Sequence, residues 1–238
     1  MTPPPTQLGA KPGWLTFDCY GTLIQWDEGL LAAVRSILAK HKQSPTDPRS
    51  FIRAYDAHEH ELEASNPHLS FRTISRRALL CTMDDLGLPS DAADGDMLTS
   101  SISRMPPFPE VVGALGDLKK QGFKFCIISN SDDDIIAGNV AQLGGFIDRV
   151  VTAEQAQAYK PTRQIFDYAY RTLGVGKEDI VHICASPQLD LVAARDLGFR
   201  CIWIDRGTGR RAPPDYDPDF VFPTLDKVPQ LFARLGWS

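Results

Sequence analysis

The sequence lacks the features of a membrane protein and of a disulfide-rich secreted protein. It has no run of about 18 apolar residues, which is the length needed to cross a bilayer. Residues 1–13 are rich in proline and glycine and carry no apolar stretch typical of a signal peptide, so we expect a flexible lead. The five cysteines are scattered and form no CxxC pair, which argues against a zinc site or a disulfide framework. These absences predict a cytoplasmic protein with no membrane partner.

Clustered basic charge is also missing. The formal net charge is −5, and the two arginine pairs, at 76–77 and 210–211, are too short to follow a phosphate backbone. We therefore interpret both pairs as solvated surface and expect no nucleic-acid partner. The hydrophobic content of 43% and the charged content of 23% are instead typical of a globular protein with a substantial core.

Short, continuous apolar runs predict the buried strands of a parallel sheet, because both faces of such a sheet are covered. These runs lie at 14–17, 123–129, 149–152, 180–185 and 200–204, with a weaker sixth at 220–222. Helical stretches at 111–121, 164–173 and 189–197 separate the later runs, and each is followed by glycine. The alternation predicts the α/β class, with a doubly wound, Rossmann-like parallel sheet.

A long helical insertion follows the first strand. Between residues 28 and 105 no strand pattern occurs, and helices are predicted at 30–41, 48–65 and 70–86. The sequence therefore predicts a helical cap over residues 28–107, inserted into a core formed by residues 14–27 and 108–238. Such a cap lies above the carboxyl edge of the sheet, where open α/β sheets bind ligands. The run of His and Glu at 58–63 is interpreted as a polar helix surface, since His58 and His60 lie on different helix faces.

Four polar segments fall at the predicted strand ends. They are Asp18, which Gly21 follows three residues later, Ser129–Asn130, Lys160, which a proline follows, and Asp190. Each alone has a structural explanation. Asp18 could cap a turn, Ser129–Asn130 is common in turns, Lys160 could be a solvated charge, and Asp190 could stabilise the start of its helix. The ends of parallel strands meet at one edge of the sheet. The four segments in this order therefore indicate a catalytic site far more specifically than any one of them does alone. A lysine beside Asp18 would pair with its carboxylate and orient it.

This ordered set resembles the haloacid dehalogenase superfamily, over nearly the whole chain from Trp14 onward. The four segments match the signature loops, and the insertion matches a family helical cap. Phosphatases of the superfamily carry a second Asp two residues after the nucleophile, which protonates the leaving alcohol. Tyr20 stands there in this sequence, and a phenol that titrates near 10 cannot serve in that way. The motif Asp-X-Tyr-Gly-Thr, with Trp26 downstream, instead resembles the L-2-haloacid dehalogenase branch.

The resemblance implies a metal-independent hydrolase that needs no cofactor and acts on a small carboxylic acid. The carboxylate of Asp18 would displace the halide of a 2-halocarboxylic acid and form an ester, which water would then hydrolyse. Lys160 would hold Asp18, and Asp190 would position or activate the water. Ser129 would hydrogen-bond Asp18 or the substrate carboxylate. The further residues implied in substrate binding are Tyr20, Thr22, Asn130, Arg53, Asp56 and Phe166.

Several positions depart from the family pattern. A cap arginine receives the halide in family dehalogenases, whereas Asp56 stands at the matching place here and Arg53 lies one helical turn away. Phe166 replaces a tyrosine, and Ala185-Ser186-Pro187 replaces Ser-Ser-Asn. An acidic cap residue would disfavour a halide and favour a cationic group.

Two other functions stay open at this point. One is a Mg²⁺-dependent phosphohydrolase, with Asp18 and Asp190 as metal ligands. The other is a catalytically idle relative that acts as a binding module, although such a protein need not retain the charged set of Asp18, Lys160 and Asp190. The family resemblance also suggests a homodimer.

Overall fold

A six-stranded parallel sheet forms the centre of the protein. The computed structural model describes residues 8–43 and 47–237, and the strand order is β3-β2-β1-β4-β5-β6. Its strands are β1 (Trp14–Phe17), β2 (Lys124–Ser129), β3 (Arg149–Thr152), β4 (Ile180–Cys184), β5 (Cys201–Ile204) and β6 (Phe220–Phe222). Neighbouring strands all run parallel, which confirms the predicted doubly wound sheet. The order reverses between β1 and β4, the position at which α/β sheets open a ligand crevice.

Four helices follow β1 and form the cap. They are α1 (Trp26–Lys40), α2 (Pro48–Glu63), α3 (Phe71–Asp85) and α4 (Ala92–Ile102). The sequence predicts the first three, whereas α4 is rich in Asp, Ser, Thr and Gly, which are weak helix formers. A reciprocal capping box between Asp91 and Asp94 begins α4, and this supplies the start signal that its composition lacks.

Six further helices cover the faces of the sheet. They are α5 (Val111–Lys120), α6 (Asp133–Val140), α7 (Ala153–Ala156), α8 (Arg163–Leu173), α9 (Val192–Leu197) and α10 (Lys227–Arg234). The predicted helix at 189–197 begins instead with a π-turn over Pro187–Leu191. The sheet core is tightly packed, with Phe17 and Phe125 meeting edge to face at 5.4 Å. None of the helices in the described part of the chain is long and apolar enough to span a membrane.

Hydrogen bonds from the core fix the position of the cap. The buried carboxylate of Asp132 accepts the backbone N–H groups of Phe71 and Arg72, both at 2.9 Å, in the first turn of α3. The Tyr159 hydroxyl donates to the carbonyl of Leu69 at 2.7 Å. Because Asp132 lies just beyond the end of β2, these bonds hold the cap above the carboxyl ends of the strands.

Residues 8–13 do not form the flexible lead that the sequence predicts. Residues 1–7 lie outside the described residues, but the chain packs against the core from Leu8 onward, and Leu8 itself is buried. The Arg200 guanidinium donates to the carbonyls of Leu8 and Ala10, and Gly13 N–H donates to Asp179 O at 3.1 Å. An apolar anchor and satisfied carbonyls therefore order residues 8–13, contrary to the prediction of a flexible lead through residue 13.

Candidate active site

The carboxyl edge of the sheet brings a lysine between two aspartates. Asp18 follows β1, Lys160 follows α7 and Asp190 lies beyond β4. Lys160 Nζ donates to Asp18 Oδ1 and to Asp190 Oδ1, each at 2.8 Å. All three side chains are almost wholly buried, with exposures of 5%, 1% and 0% for Asp18, Lys160 and Asp190. One ammonium group therefore bridges two carboxylates away from solvent.

Burial and charge set the pKa values of this triad. Burial disfavours the Lys160 ammonium, but the two carboxylates more than offset this and raise its pKa above the usual value. Burial raises the pKa of the Asp18 carboxyl above its ordinary value, against the opposing influence of Lys160. Burial acts on Asp190 in the same sense, but Lys160 and His182 outweigh it and lower the Asp190 pKa. Lys160 is thus a permanent cation, and Asp18 is the more readily protonated of the two carboxylates.

A tight turn after β1 presents Asp18. Gly21 has a φ of +81°, a conformation that favours glycine, and it lets the chain fold back after Tyr20. Thr22 is thereby placed so that its hydroxyl donates to Asp18 Oδ2 at 2.5 Å. Both oxygens of Asp18 are therefore oriented, one by Lys160 and the other by Thr22.

Asp190 lies behind Lys160 and does not line the cavity beside Asp18. Its Oδ1 is 3.1 Å from His182 Nε2, and His182 Nδ1 is 2.8 Å from Thr16 Oγ1. A neutral His182 with its proton on Nε2 satisfies both contacts. Asp190 Oδ2 has no hydrogen-bond partner among the described residues, so it retains the capacity to accept from a water molecule. Asp190 thus helps to orient Asp18 indirectly, because it holds the Lys160 ammonium that contacts Asp18.

A cavity of about 320 Å³ opens beside Asp18, between the sheet edge and the cap. Aromatic rings form one wall: Tyr20 lies 5.2 Å from Trp26 and stacks with Phe71 at 6.2 Å, measured between ring centroids. The Tyr20 hydroxyl donates to Asn139 Oδ1 at 3.0 Å. Burial raises the pKa of Tyr20 well above its ordinary value, so this residue supplies apolar surface and is a poor acid near neutral pH.

Ser129 and Asn130 line the cavity at the end of β2. Asn130 Oδ1 accepts from the backbone N–H of Lys160 at 2.7 Å, which fixes the loop that carries the lysine. The Ser129 hydroxyl is buried and has no partner in the described part of the chain. A substrate oxygen is thus offered an unused hydroxyl within the cavity.

Two residues predicted to bind substrate lie elsewhere. Arg53 is exposed on α2 and donates to Ser50 Oγ at 3.0 Å, because its helix position points away from the sheet. Phe166 is fully buried and packs against His182 and Phe199 beneath the site. Neither side chain lines the cavity. Arg53 is therefore not a replacement for the cap arginine of the family pattern.

Arg210 lies in the cavity wall, which corrects its interpretation as solvated surface. It enters from the loop after β5 and makes two hydrogen bonds to Asp27, at 2.9 and 3.0 Å. It also donates to Asp56 Oδ2 at 2.8 Å. Asp56 is thus neutralised by a core arginine. The signal that could have revealed Arg210 is its place in a loop that follows a strand, at the same edge of the sheet as Asp18.

Two glutamates of α2 face the cavity, contrary to the interpretation of this segment as a polar surface. Glu59 is 8% exposed, and Glu63, one helical turn further on, lines the same cavity. They continue the spacing of the buried residues Phe51 and Tyr55, so that four residues at intervals of four lie on one helix face. That periodicity is the signal that could have found them. Glu61 between them is exposed.

The residues at the sheet edge do not fit a shared divalent metal ion. Within the described ranges, the clusters of metal-ligating side chains are His182–Cys184–Asp190 and His41–Asp91–Asp94. Neither includes Asp18, and Lys160 Nζ already lies between Asp18 and Asp190. A magnesium ion bound by both carboxylates, as the phosphohydrolase alternative requires, would have to share them with this buried ammonium, which already contacts one oxygen of each.

The family model of haloacid dehalogenase-like hydrolases matches residues 14–198. The chain belongs to this family. The superfamily predicted from the four signature loops is thereby confirmed, and the hydrolase carries these loops at Asp18, Ser129, Lys160 and Asp190.

Several named relatives of the hydrolase are dehalogenases. It is 29% identical over 228 residues to a (S)-2-haloacid dehalogenase from Pseudomonas sp. (strain YL), covering 92% of this chain and 93% of the relative. It is 27% identical over 228 residues to haloacetate dehalogenase H-2 from Moraxella sp. (strain B), covering 92% and 97%. Its fold is similar to a solved L-2-haloacid dehalogenase from Xanthobacter autotrophicus with chloropropionic acid covalently bound, with a TM-score of 0.78, 21% identity and coverage of 94% and 98%.

Proposed function

We propose that this hydrolase is a 2-haloacid dehalogenase that releases halide from a 2-halocarboxylic acid through an ester on Asp18. The observation that carries the proposal is the Asp18 carboxylate, oriented by Lys160 and Thr22 beside an aromatic-walled cavity. Tyr20, which stands at the position of the phosphatase acid, is a poor acid near neutral pH. A halide leaves as an anion, so this arrangement supports displacement at carbon rather than phosphate-ester cleavage.

In the first half of the reaction, an Asp18 carboxylate oxygen attacks C2 and the electron pair of the carbon–halogen bond leaves with the halide. Lys160 and Thr22 fix the carboxylate so that it enters the reaction already oriented. The aromatic wall of Tyr20, Trp26 and Phe71 excludes water and contacts the alkyl part of the substrate.

In the second half, water attacks the carbonyl carbon of the Asp18 ester, and the 2-hydroxy acid departs. Asp190 does not line the cavity, so it acts on this step by holding Lys160 beside Asp18. Lys160 is protonated in the resting enzyme, since the two carboxylates that it bridges raise its pKa against the effect of burial. Its charge stabilises the carboxylate that is regenerated.

Within the part of the chain that the structure describes, two donors without partners in the lining of the cavity suit the substrate carboxylate. Arg206 lines the cavity, with its guanidinium 3.7 Å from the centre of the Phe108 ring and hydrogen-bonded to Glu110. Its Nε has no partner among the residues that the structure describes. Together with the unused hydroxyl of Ser129, this N–H is suited to a carboxylate oxygen.

Halide release in the presence of a chelator tests the proposed function. We expect chloride and bromide from (S)-2-chloro- and 2-bromopropionate at the same rate with EDTA and with added Mg²⁺, because Lys160 supplies the positive charge between the aspartates. The control is an aryl phosphate, which should remain intact. Release of phosphate that depends on Mg²⁺, with no release of halide, would contradict the proposal.

Opposite changes of charge on the cavity wall should change substrate affinity in opposite directions. Arg210→Met leaves Asp27 and Asp56 uncompensated, whereas Asp56→Asn removes one of these negative charges. For an anionic substrate we expect KM to rise about fivefold in the first variant and to fall by a similar factor in the second, since one nearby charge in a half-buried site contributes roughly 1 kcal/mol. Both shifts should shrink as salt is added. Steady-state kinetics at two ionic strengths checks this, and shifts of equal sign would exclude the electrostatic explanation.

We also propose a cytoplasmic location and a homodimer. The absence of paired CxxC cysteines supports reduced thiols, as expected in that compartment. The homodimer rests on the family resemblance, and sedimentation of the purified chain measures it directly.

A further inference from the structure

We propose that Glu63 is a catalytic acid that donates its proton to the leaving group, and that the enzyme is thereby suited to fluoride, the most basic halide. The inference rests on the proposed function and deepens it. Chloride and bromide need no proton to depart, whereas fluoride is the more basic leaving group and gains from one.

The surroundings of Glu63 leave one of its oxygens without a partner. Oε1 accepts from Asn130 Nδ2 at 2.9 Å. Oε2 is shielded from solvent and has no partner in the described part of the chain. An ionised carboxylate held by a single N–H donor is costly in such a place, whereas a protonated Oε2 is ready to donate to a ligand in the cavity.

Burial favours the protonated form of Glu63 and outweighs the opposing influence of Asn130 and Lys160. Glu63 is the last residue of α2, where the negative end of the helix dipole disfavours a carboxylate. Glu59, one turn away on the same face, is also buried, and its Oε1 has no partner among the described residues. Burial raises the pKa of Glu63 to about 8. The charged and titratable groups that act on Glu63 are Glu59 from α2, and Asp18, Tyr159, Lys160 and Asp190 from the core.

Every atom and charge is accounted for in the two steps. In the first, Asp18 forms a carbon–oxygen bond, the carbon–fluorine electron pair leaves with fluorine, and the Glu63 proton transfers to it. Glu63 is then a carboxylate and hydrogen fluoride is released. In the second step, water cleaves the ester to give the 2-hydroxy acid and the Asp18 carboxylate. The single proton released in that hydrolysis returns to Glu63, and no other reactant is needed.

The test compares two leaving groups in two variants of one helix. Glu63→Gln keeps the shape and the contact to Asn130 but cannot release a proton, and Glu61→Gln is the matched control because Glu61 is exposed. With 2-fluoropropionate we expect Glu63→Gln to lower kcat by at least about 100-fold, while bromide release from 2-bromopropionate stays within about tenfold of wild type. Fluoride release by the wild type should decline above pH 8, where Glu63 loses its proton.

A second measurement reports the proton itself. The infrared difference spectrum of wild type minus Glu63→Gln should show the band of a protonated carboxyl group at pH 7, and this band should titrate near pH 8. The spectrum of the control variant Glu61→Gln should contain the same band as wild type. Absence of this band overturns the inference, as does an equal loss of fluoride and bromide release in Glu63→Gln. Release of bromide but not fluoride by the wild type overturns it while leaving the proposed function intact. A wild type that releases no halide refutes both.

Discussion

Lys160→Met should both inactivate the enzyme and destabilise its fold by about 3–5 kcal/mol at pH 7, the cost of leaving a buried charge without its partner. Lys160 bridges Asp18 and Asp190. Its removal leaves two buried carboxylates where the native site has two carboxylates and one ammonium. The nucleophile also loses the group that orients it, so halide release should become undetectable.

The loss of stability in Lys160→Met should depend on pH. Without the ammonium, the pKa values of both carboxyls in the folded protein rise above their unfolded values, so their ionised forms cost stability at neutral pH. The cost declines as pH falls below the folded pKa values and disappears below the unfolded pKa values. Urea unfolding at pH 7 and pH 5 measures this, with Lys120→Met as the control because the Lys120 side chain is 79% exposed. Equal stability of Lys160→Met and wild type at pH 7 would contradict the account.

Asp18→Asn should abolish activity without lowering stability. The amide cannot displace a halide, so kcat should fall by at least about 10⁴-fold, as expected for loss of a covalent nucleophile. Burial raises the pKa of Asp18 above its unfolded value, so its ionised form costs stability at every pH above the folded pKa. Asparagine removes that cost and leaves Lys160 paired with Asp190 alone.

Thermal unfolding distinguishes this variant from a misfolded one. We expect the Tm of Asp18→Asn to equal or exceed that of wild type at pH 7, in contrast to Lys160→Met. The control is Asp117→Asn, an exposed aspartate paired with Lys120 on α5. A clear fall in Tm for Asp18→Asn would mean that the carboxylate is needed to hold the fold, and the assignment of its energetic cost would be wrong.

The sheet and the nucleophile are predictable from the sequence because their signals are local. Buried parallel strands are continuous apolar runs, and their carboxyl ends share one edge by topology. The strand pattern alone therefore groups Asp18, Lys160 and Asp190. In the folded chain each carboxylate lies 2.8 Å from Lys160 Nζ.

The cavity wall is less predictable because it depends on how the cap docks. Arg210 lies in an irregular loop between β5 and β6, where no periodicity indicates the direction of a side chain. Glu63 looks solvated on a helix considered alone, and it becomes half-buried, with Oε2 shielded, only when α2 meets the core. Asp56 suggests an acidic subsite, but its charge is balanced by an arginine 154 residues away.

Oxygen-18 incorporation into the protein tests the central claim, that Asp18 is a covalent nucleophile. After many turnovers of 2-bromopropionate in H₂¹⁸O, the account predicts label in the side-chain carboxylate of Asp18, since water attacks its carbonyl carbon and the product carries an oxygen taken from Asp18. Mass spectrometry of the peptide that contains Asp18 measures this, with the peptide that contains Asp117 as the unlabelled control. Label in the 2-hydroxy acid after a single turnover, with none in Asp18, would show direct attack of water on C2 and contradict the account.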